Sequence, residues 1–282
     1  MQTTPSTDAF VPKTSPTIKT RIEALDVIRG TAVLGILAVN VDGFAAPMSA
    51  SLNPLTWMFP NQGWTAMSFW FMDSFFHEKF VALFSMLFGI SLFLVGGERG
   101  DKQRGRLLAR RLCVLFLFGM LHGFGIWWGD ILSLYAVTGA LMFFCRSWQP
   151  RTLLVAGLVL FLAASLSRLP TAALPFATPA AKMQAAARLH PDPGALARRK
   201  AAVALTLAEA KASWRGAFEV NVRQYLKLLS GNPNLIPSTL GLMMIGLSLF
   251  KSGYLAGSAS AASYRMTLLA AAGALMLVAW LC

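Results

Sequence analysis

A chain of 282 residues that is 56% hydrophobic and only 13% charged, with a mean hydropathy of +0.57, is too apolar for an ordinary water-soluble domain. Its formal net charge of +13 invites a nucleic-acid reading. The basic residues, however, gather at the ends of apolar segments and in one loop, without a zinc-finger, homeodomain or RNP pattern, so no nucleic-acid partner is expected. The composition predicts an all-α polytopic transmembrane bundle of about seven spans, with the lipid bilayer as its surroundings.

Residues 1–20 are rich in Thr, Ser and Pro, lack an apolar period and read as a disordered tail. A first span is predicted over about Val27–Ala46. A signal peptide cleaved near Ala50 is the rival reading, but the apolar stretch is long and begins far from the N-terminus, which favours a retained span. The loop Pro47–Trp64 holds no Lys or Arg. Next, the apolar tract Met67–Val95 is interrupted by His77, Glu78 and Lys79. At about 29 residues it is longer than one ordinary span. It is read as a short interfacial helix through Phe76 leading into a membrane helix from about Phe80.

The loop 98–111, ERGDKQRGRLLARR, carries six basic and two acidic residues, and the positive-inside rule puts it in the cytoplasm. The tract Leu112–Phe144 would be roughly 50 Å long as one helix, too long for a single crossing. A break at Trp127, Trp128, Gly129 and Asp130 turns it into a helical hairpin, with the aromatic pair at the far interface and Asp130 opening the returning helix. CRSWQPR (145–151) lies back on the basic side, and a fifth span covers about Thr152–Leu169. Residues 170–193 are Ala/Pro-rich and irregular. Residues 194–230 read as amphipathic helices, either lying on anionic lipid headgroups or forming a specific site. A sixth span is expected over about Ile236–Phe250 and a seventh over about Met266–Leu281.

The predicted organisation is therefore a tail (1–20), an N-terminal membrane core of about five spans (21–169), an extracytoplasmic loop with an amphipathic helix (170–233), and the start of a C-terminal membrane part (234–282). That last part would hold about two spans, and its end without a polar flank reads as truncated. The N-terminus is expected in the cytoplasm. Cys113, Cys145 and Cys282 sit in or beside apolar segments without CxxC spacing and read as small membrane hydrophobes.

Few groups can carry chemistry. In RIEALDVIRGTAVLGILAVN (21–40), Glu23, Asp26 and Arg29 are three apart and share one side of a helix entering the membrane. They form either a charged leading turn that snorkels to the interface or an arginine offered to phosphate from the cytoplasm. Of His77, Glu78 and Lys79, which point in different directions, Lys79 lies on a face leading into the membrane. In GMLHGFGIWWGDILSLYA (119–136), His122 falls inside a span, where an unpaired polar group is costly and therefore a candidate for function. As a base or nucleophile it suits acyl transfer. Gly119 and Gly123 flank it at small-xxx-small spacing, so close helix packing is the competing reading. No metal-ligand cluster, phosphate-cradling glycine loop or nucleophile elbow occurs, and no bound cofactor is expected.

These stretches, with KFVALFSMLFG (79–89), RRL (110–112) and LGLMMIGLSLFKSGYL (240–255), resemble the YeiB-like family of bacterial inner-membrane proteins, whose C-terminal part is called domain of unknown function 418. That family looks distantly like membrane acyltransferases, among them heparan-α-glucosaminide N-acetyltransferase and the sugar O-acyltransferases. The resemblance implies a multi-pass protein of the bacterial inner membrane that uses acyl-CoA as a co-substrate, with Asp26 and Arg29 near the donor entrance. Where the O-acyltransferases carry a histidine, and the glucosaminide enzyme an asparagine, this chain has Asn40. The active histidine of the latter falls at Ser51, so no catalytic histidine transfers by position. The resulting expectation gives His122 as base or transient acyl carrier and Asp130 as its acceptor-orienting partner. Asp26, Arg29, Asn40 and Lys79 would bind substrate, with the donor lying near Arg29, Lys79 and the 98–111 loop. A hydroxyl or amine would be the acceptor, and self-association into a homo-oligomer stays open. A non-enzymatic transporter or scaffold is the alternative. Transport is weakened by the lack of an internal repeat.

Overall fold

A computed structural model describes residues 17–51, 54–56, 62–168 and 192–281 of the chain. Its helices are α1 (Thr17–Ala45), a short α2 (Met48–Ser51), α3 (Gly63–Phe75), α4 (Lys79–Gly96), α5 (Lys102–Gly125), α6 (Leu132–Cys145), α7 (Pro150–Arg168), α8 (Pro193–Ala212), α9 (Trp214–Gly231), α10 (Ile236–Lys251) and α11 (Ala261–Leu281). Among the described residues there is no strand. The all-helical class is as the composition predicts. Three segments are long and apolar enough to cross a membrane: Gly63–Gly96, Lys102–Gly125 and Pro150–Ser167. A fourth is available if α9 and α10, bent by 59° at their junction, count as one.

The two over-long tracts are broken where the ionisable and aromatic interruptions stand. Between α3 and α4 the chain turns through 76–78, with Glu78 in the left-handed region at φ 60°. Between α5 and α6 it leaves the helix after Gly125 and resumes at Leu132. The tail prediction is corrected at its boundary, because residues 17–20 already belong to α1; residues 1–16 lie outside the described part, as does most of the irregular stretch predicted over 170–193.

The core centres on α10, which packs against α7, α4 and α6. Met243, Met244 and Leu247 are almost wholly buried there, with Leu92, Leu112, Tyr135, Met142 and Leu153 around them. Backbones approach closely at two glycine seams. A Cβ on Gly246 would run into the Met86 carbonyl of α4, and one on Gly241 into the Gly157 carbonyl of α7. Packing of this kind through small residues holds helices together where lipid removes the hydrophobic drive between them.

Two ends of the bundle differ in chemistry. At one, three connections are tied together: the Arg99 N–H donates to Ser147 Oγ at 2.6 Å, and Lys251 Nζ donates to Glu98 Oε1 at 3.0 Å and to the Trp148 carbonyl at 3.4 Å. Arg104 donates to the Leu94 and Val95 carbonyls, and the buried Arg146 to that of Gly97 at 3.0 Å. Both arginines thus satisfy carbonyls at the C-terminus of α4, a local reason for basic residues at this end. At the opposite end Trp127 donates from its indole to the Gly43 carbonyl at 2.8 Å, and the α8–α9 pair folds over the C-termini of α1 and α5. Ser213 ends α8 and caps α9, accepting from the Gly216 N–H at 3.0 Å. Glu209 and Arg223 then lock the pair through two hydrogen bonds of 2.9 and 2.6 Å. This guanidinium holds the Glu209 carboxyl below the usual carboxylate range.

Candidate functional site

Asp130 sits in the connection before α6 and is entirely buried. Its Oδ1 accepts from the Leu132 N–H at 3.1 Å, and its Oδ2 from the Ser133 N–H at 3.0 Å and the Ser133 hydroxyl at 2.8 Å. These bonds satisfy the first free N–H groups of α6, as a helix-capping carboxylate does. The Tyr225 hydroxyl approaches Oδ2 to 3.5 Å, and the His122 imidazole places its Nδ1 3.2 Å from Oδ1. A carboxylate only accepts, so this contact requires the proton on Nδ1 and leaves Nε2 of the neutral ring as the acceptor. One third of the imidazole is exposed (34%), against none of the carboxylate.

The pair is closed from behind by α9. The Tyr225 ring fills the notch left by Gly123, and its hydroxyl donates to Ser133 Oγ at 3.2 Å, which passes its own proton towards Asp130. Asn221 Nδ2 caps the end of α5, donating to the carbonyls of Gly123 and Phe124 at 2.9 and 3.1 Å. Gly119 faces Ser133 and Asp130 with no room for a side chain. Both readings of the flanking glycines therefore meet: they allow close packing, and what they admit is the carboxylate and its supports.

Beside this pair lies a cavity of about 680 Å³ between α1, α3 and the connection from α5 to α6. Trp127 is the partition, lining the cavity while its ring meets His122 edge-on, with centroids 6.3 Å apart. Asn40 lines the cavity, as do Ser51, Asp73 and His77. The imidazole of His77 approaches Asp73 to 3.3 Å, so a second histidine–aspartate pair borders the same space.

The other expected site residues fall elsewhere. Asp26 and Arg29 pair with each other at 2.7 Å, and Arg29 Nε is buried without a hydrogen bond to a described residue. They lie towards the basic end, about 16 Å (Arg29) and about 21 Å (Asp26) along α1 from Asn40. Lys79 begins α4, at the end opposite the 98–111 loop, and its ammonium donates to the Asp73 carbonyl at 2.7 Å. The expectation that Arg29, Lys79 and that loop surround one donor is thereby corrected, since the length of α4, about 27 Å, separates Lys79 from the loop. Ser133 could have been singled out by its position three residues after a capping aspartate. Tyr225 and Asn221 carry no sequence signal, because they reach the site from about a hundred positions away.

Comparison with known proteins places this geometry in context. The chain is 40% identical over 149 residues to the uncharacterised protein YxaH of Bacillus subtilis, 50% of this chain and 37% of YxaH. It is likewise 40% identical over 119 residues to the uncharacterised protein YeiB of Escherichia coli, 41% of this chain and 28% of YeiB. It is a homologue of both over part of its length. An uncharacterised 39.9 kDa protein of Bacillus acidopullulyticus is 31% identical over 148 residues, 52% of this chain and 40% of that protein. The match thus spans well under half of each relative. No protein-family model and no solved structure matches the chain.

Proposed function

We propose that this chain is part of a multi-pass bacterial inner-membrane acyltransferase that takes an acyl group from cytoplasmic acyl-CoA and passes it to a hydroxyl or amine. One observation carries the reading: a partly exposed imidazole oriented by a buried carboxylate whose other partners are all donors, which is the arrangement of a positioned general base. His122 Nε2 would take the acceptor proton, the freed oxygen or nitrogen would attack the thioester carbonyl, and CoA would leave as its thiolate. With the basic end in the cytoplasm, α1, α4, α5, α6, α7, α10 and α11 make about seven crossings, and the cytoplasmic N-terminus brings Arg29 to the donor side. The pantetheine arm of CoA would have to carry the thioester carbonyl inward from there to reach His122.

The test uses the purified chain in nanodiscs with a panel of acyl-CoAs, following thiol release and intact mass. Release that disappears in His122→Ala, with a raised KM in Arg29→Ala, is expected; release unchanged in His122→Ala overturns the assignment. A chimera continued with the C-terminal part of YxaH provides the second arm, and activity in the chimera alone would mean that residues 1–282 need that part. Silence of both would favour the alternative, a transporter or scaffold in which the Asp130 cluster acts only as interhelical packing. The tight fit of Gly119 and Gly123 against that cluster is the observation on the alternative's side.

A further inference from the structure

The cavity at the Trp127 end is not explained by the base. Its volume, about 680 Å³, lies in the range of small-molecule sites, roughly 300–1,000 Å³. Its walls are mainly apolar, with Leu37 and Val41 from α1, Phe69 from α3 and Leu228 from α9. Its polar lining is sparse. The Asn40 amide makes no hydrogen bond to a described residue, Ser68 offers a hydroxyl, and Asp73 is paired with His77. No Lys or Arg is among the described residues that line it, in a chain with 25 of them.

We infer that this cavity binds a single-chain lipid whose head carries hydroxyls and no net negative charge. The hydrocarbon lies against the apolar walls, where each buried methylene contributes about 0.8 kcal/mol. A hydroxyl head matches the two donors and one acceptor of the Asn40 amide and the acceptor oxygens of Asp73. An anionic head would meet the Asp73 carboxylate, and the basic groups beside it are already engaged by Asp73, His77 at its carboxylate and Lys79 at its carbonyl, which leaves discrimination by repulsion. This inference goes beyond the transfer reading, since it concerns a binding site and holds whether or not His122 moves a proton.

The experiment is photolabelling of the chain in nanodiscs by a monoacylglycerol with a diazirine in mid-chain, mapped by peptide mass spectrometry. Labels are expected within residues 34–43 and 69–77, reduced at least tenfold by either filling variant, Ala38→Trp or Ser68→Phe. Val33→Trp, on the exposed side of α1 and outside the lining, should leave them unchanged. A lysophosphatidic acid with the same chain should label several-fold less, and Asp73→Asn should narrow that difference. Elution profile and helical circular dichroism check that each variant folds. Labelling that is as strong on the exposed Leu268 and Leu269 of α11 as in the cavity, and indifferent to both filling variants, would mean annular lipid and overturn the site. Equal labelling by the two heads would overturn the assignment of the head. Loss of CoA release in the preceding experiment would affect neither outcome.

Discussion

The properties of His122 follow from what surrounds Asp130. Replacing Asp130 by Ala removes the acceptor of two backbone N–H groups, a hydroxyl and an imidazole in a fully buried place. Buried groups left unpaired cost about 1–3 kcal/mol, so a clear fall in Tm is expected in a detergent thermal-shift assay. Asp130→Asn should keep more stability, since its amide oxygen still accepts, yet it presents an NH₂ to part of the donor set. If His122 is a base, this variant loses CoA release out of proportion to its loss of Tm; a role in packing alone makes the two fall together. Tyr225→Phe is gentler, removing one hydroxyl from the Ser133–Asp130 chain while keeping the ring in the Gly123 notch, and should cost about 1 kcal/mol. The helix start at Asp130 was legible because a carboxylate followed by an apolar periodic run is a capping signal. The tyrosine behind it was not, because nothing in positions 214–231 says which of its aromatic residues turns inward.

Helices in this chain are held by how closely they approach. Gly246→Leu would push α10 from the Met86 carbonyl of α4. Overpacking a tight contact costs roughly 1–3 kcal/mol, read as a lowered Tm and increased proteolysis in detergent. Gly30→Leu, where an added Cβ meets nothing within 4 Å, is the control and should be neutral. Element boundaries were largely written in the chain: His77, Glu78 and Lys79 mark the turn before α4, and Trp127 to Asp130 the turn before α6. The amphipathic stretch 194–230 was legible as helix but not as a structural lid. Its polar face supplies Asn221 and Gln224 as caps and partners for other elements, where the sequence offered only a surface-lying helix or an unspecified site. A periodicity shows that a face is polar. It does not show what that face meets.

The whole molecule is polarised, with the basic connections bound to one another at one end and the cavity and His122 at the other. Glu98 is the acid that joins two connections in that basic knot. Hydrogen bonds from Ser147 first, and then from Lys251, hold its carboxyl below the ordinary value. A lowered folded value means stability that is present above the unfolded pKa of about 4.5 and is lost as the pH falls through the folded one. Glu98→Gln should flatten this acid limb of the Tm profile. The effect is small, under about 1 kcal/mol, because the side chain is more than half exposed and solvent screens the pair. For topology, single cysteines at Arg106 and Trp214 in a cysteine-free background should be labelled from opposite faces of the membrane; labelling from the same face would refute the polarity. Composition and charge by themselves determined that this chain is apolar and helical, where its long tracts break, and which end is basic, because each depends on local hydropathy, length or the solvation of a charge. Only the tertiary structure decided that His122 meets Asp130, that Lys79 stands away from the basic loop, and that Asn40 borders a cavity with a second histidine–aspartate pair. Those facts depend on which helices pack together, and that is set by the glycine seams and by α9 folding back across the bundle.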